Sequence, residues 1–371
     1  MIMKLKNLTR ITTSLCIAIV SIFSGALNAQ EKSAPNPTVL AESEDTEEVS
    51  ATELTEAADR AIEKGFAYLI ASQKPNGSWT SDVGPYNNNT YDIGGTSLGL
   101  MAFMVKGHFP GFGRYGPQLN KAKDYLLTKA KESTSGVVGG MYEHGLFTLA
   151  LSELWGMTHD VEDNKVIQEA LEKAVAVILR AQSPLGGWRY SAHPHEGQDT
   201  SATATVFVAL ASAQQAGIFV PTETIDRVVG YLREQVWNES TGGFGYQGKT
   251  RTYFSATACG AYAAQLCGKR DTEWVGAAIR YLEKSPKVFS IQEIGNYLHS
   301  YYYAHYYAIT AMVQAGGDHY AKWYPQIRDS LIQLQQPNGS WNESIHDYPS
   351  NTPMAIIILG TPHCYIPIYQ R

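Results

Sequence analysis

The sequence predicts an all-α protein: an α/α toroid, two concentric rings of helices built from about six helix-hairpin repeats. Three observations carry this. An apolar residue, a Gln four positions later and an aromatic residue six positions after that recur along the chain. An amphipathic helix precedes each Gln, and a helix apolar nearly all round follows the aromatic residue. A helix apolar on every side is buried on every side, so the second kind forms an inner ring and the first an outer ring. An open solenoid would not need that burial and would carry polar capping repeats.

In chain order, the first element is not fold. Lys4, Lys6 and Arg10, an apolar run over 11–22 and the small residues Ser24-Gly25-Ala26 and Leu27-Asn28-Ala29 have the order of a secretory signal over 1–29, cleaved after Ala26 or Ala29. The run is shorter than the roughly 20 residues that span a bilayer, so no stable membrane span is expected. An exported protein, periplasmic or extracellular, is the expectation. Residues 30–52 read as an acidic disordered linker, because from Glu31 to Asp59 nine acids stand against Lys32 alone.

Beyond Asp59 the chain is then close to neutral, and the body, 53–371, has no basic cluster, which argues against a nucleic-acid partner. At 44% hydrophobic and 17% charged the chain can bury a large core. Three cysteines remain after signal removal, Cys259, Cys267 and Cys364; the odd number argues against a disulfide framework, and they read as small core residues.

The repeats follow in order. The first holds Lys64-Gly65, Leu69, Gln73 and Gly77-Ser78-Trp79. A degenerate second runs from Tyr125 to Gly139-Gly140-Met141. The third has Ile178, Gln182 and Gly186-Gly187-Trp188; the fourth, with an insertion and Phe for Trp, has Tyr231, Gln235 and Gly242-Gly243-Phe244. The fifth starts at Tyr281 and has lost its Gly-Trp end near Ser290; the sixth has Leu331, Gln335 and Gly339-Ser340-Trp341. Pro-Asn-Gly or Pro-Leu-Gly stops each full helix. The Trp is expected to pack over the helix end, while the Gln holds free backbone groups there. Residues 97–105, 203–216 and 308–315 are inner helices by composition.

Residues just past the turns crowd one mouth of such a ring. They include Asp92, Tyr142, Glu143, His144, Asp199, Arg251, Tyr253, Tyr302, His305 and Asn351. Polar groups and tyrosines around one opening suit a ligand cavity. Capping of inner-helix starts, with Asp199 before Thr200-Ser201, and hydroxyl partners for buried Tyr are the packing alternative. Tyr302 and His305, three apart, share a helix face. They are expected to look inward and converge with Tyr142 and His144 on a space of several hundred Å3.

The Gln73…Gly77-Ser78-Trp79 block resembles the QW motif of squalene-hopene and oxidosqualene cyclases, and Gly242-Gly243-Phe244 the matching turn of protein prenyltransferase beta subunits. With Asp199-Thr200-Ser201-Ala202-Thr203, Tyr301-Tyr302-Tyr303 and the Tyr365–Arg371 end, the chain is most similar to secreted bacterial prenyltransferase/squalene-oxidase repeat proteins over about 53–371. The resemblance implies a toroid around a cavity, and an apolar or isoprenoid-like ligand.

The chemistry of those enzymes is less legible. The cyclase acid run Asp-x-Asp-Asp is missing; the nearest, Asp160-Val161-Glu162-Asp163, is read as an inter-repeat loop. Where a prenyltransferase would hold zinc with Asp and Cys, this chain has Tyr253-Phe254-Ser255, and His305 cannot make that site alone. No metal and no cofactor are expected, and no catalytic residue is assigned. His193-Pro194-His195-Glu196 reads as a solvated loop. The leading function is a cavity for an apolar ligand. The alternatives are a secreted carbohydrate-active enzyme of the lyase type, and a non-catalytic scaffold for another protein.

Overall fold

The computed structural model describes residues 52–80, 91–158, 160–194, 197–285, 301–342 and 349–370. His195, Glu196 and the segments expected to be signal and acidic linker, up to residue 51, lie outside them. The α-helices among the described residues are α1 (Glu56–Ser72), α2 (Asp92–Met104), α3 (Gly116–Glu132), α4 (Met141–Leu154), α5 (Val161–Ala181), α6 (Thr200–Ala216), α7 (Thr222–Gly230), α8 (Phe254–Ala264), α9 (Glu273–Lys284), α10 (Tyr301–Ala315), α11 (Gly317–Leu334) and α12 (Asn351–Gly360). Odd helices are outer and even ones inner. Helices α2, α4, α6, α8, α10 and α12 each pack on the next, and α12 packs back on α2, so the inner ring closes.

Composition explains the two kinds. Every residue of α12 is buried, as is every residue of α8 after Phe254. By contrast α5 buries Ile167, Leu171, Ala174, Val175 and Ile178 and exposes Glu169, Glu172 and Lys173. Asp160 caps α5, accepting from the backbone N–H of Glu162 and Asp163, so the Asp160–Asp163 run is a helix start rather than a loop. Asp163 also pairs with the buried Lys123 of α3.

The turns between outer and inner helices share one construction. The Nε1–H groups of Trp79, Trp188 and Trp341 donate to the carbonyls of Leu69, Ile178 and Leu331, at 2.7, 2.9 and 2.8 Å. Each motif amide reaches further. Gln73 Nε2 donates to Gly77 O in its own turn and to Gln118 O on the next outer helix; Gln182 does so to Gly186 O and Thr224 O, and Gln335 to Gly339 O and Ala61 O. Three residues beyond each clipped carbonyl, the next helix presses on the turn glycine. A Cβ on Gly77, Gly186 or Gly339 would lie 1.9–2.3 Å from the carbonyl oxygens of Lys121, Arg227 and Lys64. The motif is thus a clip between successive outer helices. Gln335, bonded to α1, closes the outer ring, with Trp341 filling the space over Gly65.

Two copies depart from it. In the fourth, Gln235 lies in a π-turn (Tyr231–Val236) and does not clip the next helix. The inserted hairpin of β1 (Trp237–Asn238) and β2 (Gly243–Phe244) instead brings Trp237, Phe244 and the α9 residue Trp274 into one aromatic cluster. In the second copy the turn is Gly136-Val137-Val138, not Gly139-Gly140-Met141. Gly136 (φ 80°) and Gly139 (φ 71°) both have the positive φ of Gly77 (92°) and Gly186 (97°), but only Gly136 of the two faces the next outer helix, at Val177 of α5. Val138 therefore stands where the others have Trp. Its N–H donates to His144 Nδ1 at 3.1 Å, and His144 Nε2 bonds Ala174 O at 3.0 Å, three residues before Val177.

At the far end of the ring the C-terminal segment turns inward. Ile368 O accepts from Tyr262 OH at 2.8 Å, Gln370 O accepts from Gln314 Nε2 at 2.7 Å, and Tyr369 meets Tyr306 hydroxyl to hydroxyl. The buried Glu153 of α4 accepts from Ser212 Oγ at 2.6 Å. Burial pushes its carboxyl up to about 7.

Candidate functional site

The inner helices begin at the opposite mouth, where six helix N-termini concentrate partial positive charge. Carboxylates answer it. Asp92, the first residue of α2, takes the Tyr125 hydroxyl. Glu143 of α4 reaches across to α2, where Oε1 accepts from Gly94 N at 3.2 Å. Burial raises its pKa, against the opposing pull of these backbone N–H groups. Asp199 caps α6, Oδ1 accepting from Ala202 N and Ser201 Oγ at 2.7 Å each. Its Oδ2 is buried without a hydrogen bond, with Arg189 Nε 3.9 Å away. Beside it, Tyr190 and Tyr246 join hydroxyl to hydroxyl, Arg189 lies over the Tyr190 ring, and Tyr190 is 47% exposed. Arg251 is exposed over the ring of Tyr253, the residue preceding α8. Asn351, the first residue of α12, is fully buried.

The two histidines do not look inward. His144 is consumed by Val138 and Ala174, between α4 and the outer helix α5. Accepting at Nδ1 while donating from Nε2 requires the neutral ring, and burial lowers its pKa accordingly. His305 packs against Tyr301, Phe254 and Trp323 of the outer helix α11, with ring centroids 4.6, 5.5 and 6.0 Å apart. Tyr301 hydrogen bonds Ser330 of α11 at 2.8 Å, so Tyr301 and His305, four apart, form the outward face of α10. Tyr302 is fully buried, edge to face on Tyr301. The expected convergence of Tyr302, His305, Tyr142 and His144 on one space is therefore corrected.

The inward face of α10 is Tyr303 and Tyr307. Helices α4 and α10 stand opposite each other in the ring of six, yet Tyr142 and Tyr303 approach to 6.0 Å between ring centroids. Below them Tyr307 OH meets Thr205 Oγ1 of α6 at 2.7 Å, and Cys259 Sγ of α8 lies 3.2 Å from Tyr303 OH. Burial pushes these three phenols and the Cys259 thiol up, so all four are neutral near neutral pH. Tyr142 and Phe254 remain partly exposed. Position in a seven-residue run with Tyr at 301, 302, 303, 306 and 307 gives no cue to which pair points inward; the neighbours of α10 decide it.

Cys259, Cys267 and Cys364 are free thiols. Among the described residues no helix is long and apolar enough to cross a membrane.

No family model matches the chain, and no curated protein is similar to it in sequence. Solved structures are similar to it in fold. The type II terpene cyclase MstE from Scytonema superposes with a TM-score of 0.57 at 16% identity, covering 84% of this chain and 98% of that one. The α-1,6-mannanase GH76A of Salegentibacter sp. HEL1_6 gives 0.60 at 10% identity, covering 82% and 99%. A glycoside hydrolase family 76 mannosidase from Bacteroides thetaiotaomicron gives 0.60 at 11%, covering 83% and 98%. The chain is thus an α/α toroid, similar in fold both to a terpene cyclase and to family 76 mannosidases.

Proposed function

We propose that the protein is an exported toroid that binds an apolar, isoprenoid-like molecule at the mouth of its ring, seated on the Tyr142–Tyr303 pair. The observation that carries this is the lining of the axis: phenols, a thiol and a threonine, none ionised near neutral pH. These four side chains offer an apolar chain a bed without a charge of their own. Variants of the terpene cyclase MstE have been captured with geranylgeranyl dihydroxybenzoate and with merosterolic acid A. This chain has no Asp-x-Asp-Asp run, and its mouth carboxylates Asp92, Glu143 and Asp199 serve helix starts, so binding rather than alkene protonation is the role we assign.

The test is a titration with geranylgeraniol. One equivalent should bind, and Tyr303→Trp, which fills the mouth, should abolish it. A second reading rests on Tyr190, Tyr246 and Arg189 beside Asp199, an aromatic and charged rim suited to a sugar. The GH76A variant bound to α-1,6-mannotriose is inactive through changes at two successive aspartates, and this sequence contains no such pair. Binding of α-1,6-mannotriose lost in Tyr190→Ala, with no geranylgeraniol binding, would replace the first reading by the second. Export is tested by N-terminal sequencing of the mature protein, which should begin at Leu27 or Gln30.

A further inference from the structure

The joints between outer helices are not equally filled. At the α11–α1 joint, where the motif keeps Gln335 and Trp341, the surface groove beside Ala61, Lys64 and Gln335 has a volume of about 320 Å3. At the α3–α5 joint, where Val138 stands for the Trp, the groove is about 890 Å3. Its floor is Val138 and Phe147, both buried, with Leu127, Ala170 and Val177 along the walls. The difference follows from the side chains: an isopropyl group and one inner-helix phenyl ring do not occupy the volume of an indole at the turn.

The groove carries both signs of charge. Asp124 and Glu169 line it. So do Lys131 and Arg180, in the last turns of α3 and α5 beside the turn at Ser133–Gly136, and Lys173, one turn beyond Glu169. Asp124 lies 3.4 Å from Lys123, whereas Lys131, Lys173 and Arg180 make no ion pair among the described residues. An apolar trough flanked by three uncommitted cations fits a single aliphatic chain with an anionic head.

We propose that the α3–α5 groove is a second ligand site, distinct from the ring axis, which binds a single-chain anionic amphiphile. The carboxylate, sulfate or phosphate head meets Lys131, Lys173 and Arg180, and the chain lies over Val138 and Phe147. The site exists because the second repeat exchanged its Trp for Val138.

Dodecanoate below its critical micelle concentration is the probe, with dodecyltrimethylammonium as the cation of equal chain length, both titrated calorimetrically into the full mature chain. Dodecanoate should bind at one equivalent and the cation should not. Reversing the three charges (K131E, K173E, R180E) should weaken dodecanoate by about tenfold or more. Val138→Trp should abolish binding. Because an indole there can also repack the turn, Ala170→Phe, on a partly exposed wall, serves as an independent block. Equal binding of both detergents, or dodecanoate binding unchanged in both the charge-reversed and the Ala170→Phe proteins, would overturn the proposal. Loss in Tyr303→Trp with no loss in Ala170→Phe would overturn it too, by moving the ligand to the axis. The axial reading stands or falls separately on geranylgeraniol, whose binding should not respond to Ala170→Phe.

Discussion

At Trp188 the joint between successive outer helices needs three side chains, whereas at Val138 it needs one. In the third repeat Thr203 Oγ1 receives the Trp188 N–H at 3.0 Å, the indole seals the helix end, and Gln182 clips Thr224 of the next outer helix. In the second repeat His144 does two of these tasks at once. Nδ1 receives the Val138 N–H as a threonine would, and Nε2 holds Ala174, the carbonyl that matches Thr224. The filling task is left undone, and the groove opens there. An imidazole offers one acceptor and one donor on opposite sides of a rigid ring, which is why it can replace an amide and a hydroxyl together. It can do so only while neutral, so one joint of the ring has become titratable.

That contrast can be broken most forcefully at the closing joint. Trp341→Ala should destabilise the protein by about 3 to 5 kcal/mol, since the indole is fully buried and closes the ring over Gly65. An unchanged denaturant midpoint would show that the indole seals nothing. The amide alone is the next largest. Gln335→Ala removes two hydrogen bonds, to Gly339 O and Ala61 O, and should cost about 1 to 3 kcal/mol. Gln235→Ala, in the copy without a clip, should leave the midpoint within about 0.5 kcal/mol of wild type. Equal losses at the two glutamines would remove the distinction between clipped and unclipped joints.

The histidine joint is separated from the others by pH, and a second buried group on the same helix has to be removed first. Glu153 has a folded pKa of about 7, above its ordinary 4.5, so the fold favours its neutral form. Its contribution is complete below about pH 4.5 and is lost as pH rises to about 7. Glu153→Gln should therefore gain on the order of 1 to 2 kcal/mol at pH 8 relative to wild type, read from urea midpoints. A variant no more stable than wild type at pH 8 would show that the carboxylate is not desolvated there.

His144 titrates in the opposite sense. Its folded pKa lies below the ordinary 6.5, so its contribution is present above pH 6.5 and is lost as pH falls. In the Glu153→Gln background, stability should decline below about pH 6.5. His144→Gln, whose amide can both accept from Val138 and donate to Ala174, should flatten that decline while changing stability at pH 7.5 by less than about 1 kcal/mol. An identical acid slope with His or Gln at 144 would assign the titration elsewhere.

Much of this architecture is already present in the order of residues. The spacing from Leu69 to Gln73 to Trp79, repeated from Ile178 and from Leu331, encodes a helix end and its seal. Both act within one turn, so local sequence carries them, whereas the clip of each Gln reaches a carbonyl 45, 42 or 274 residues away. The two classes of helix follow from whether polar residues occupy one face or none. What local spacing could not carry is anything decided by a neighbour distant in sequence. The threonines that receive the motif N–H lie 17, 15, 13 and 11 residues beyond Trp79, Trp188, Phe244 and Trp341, so no fixed period reveals them. The copy at Gly139-Gly140-Met141 looked like the motif, but the turn three residues earlier won because Gly136 is the glycine that packs on Val177. Tyr303 and Tyr307, rather than Tyr302 and His305, face the axis because Trp323 and Ser330 of α11 stand ready to take the other face. Helical periodicity says which residues share a face, and only the packed neighbours say where that face points.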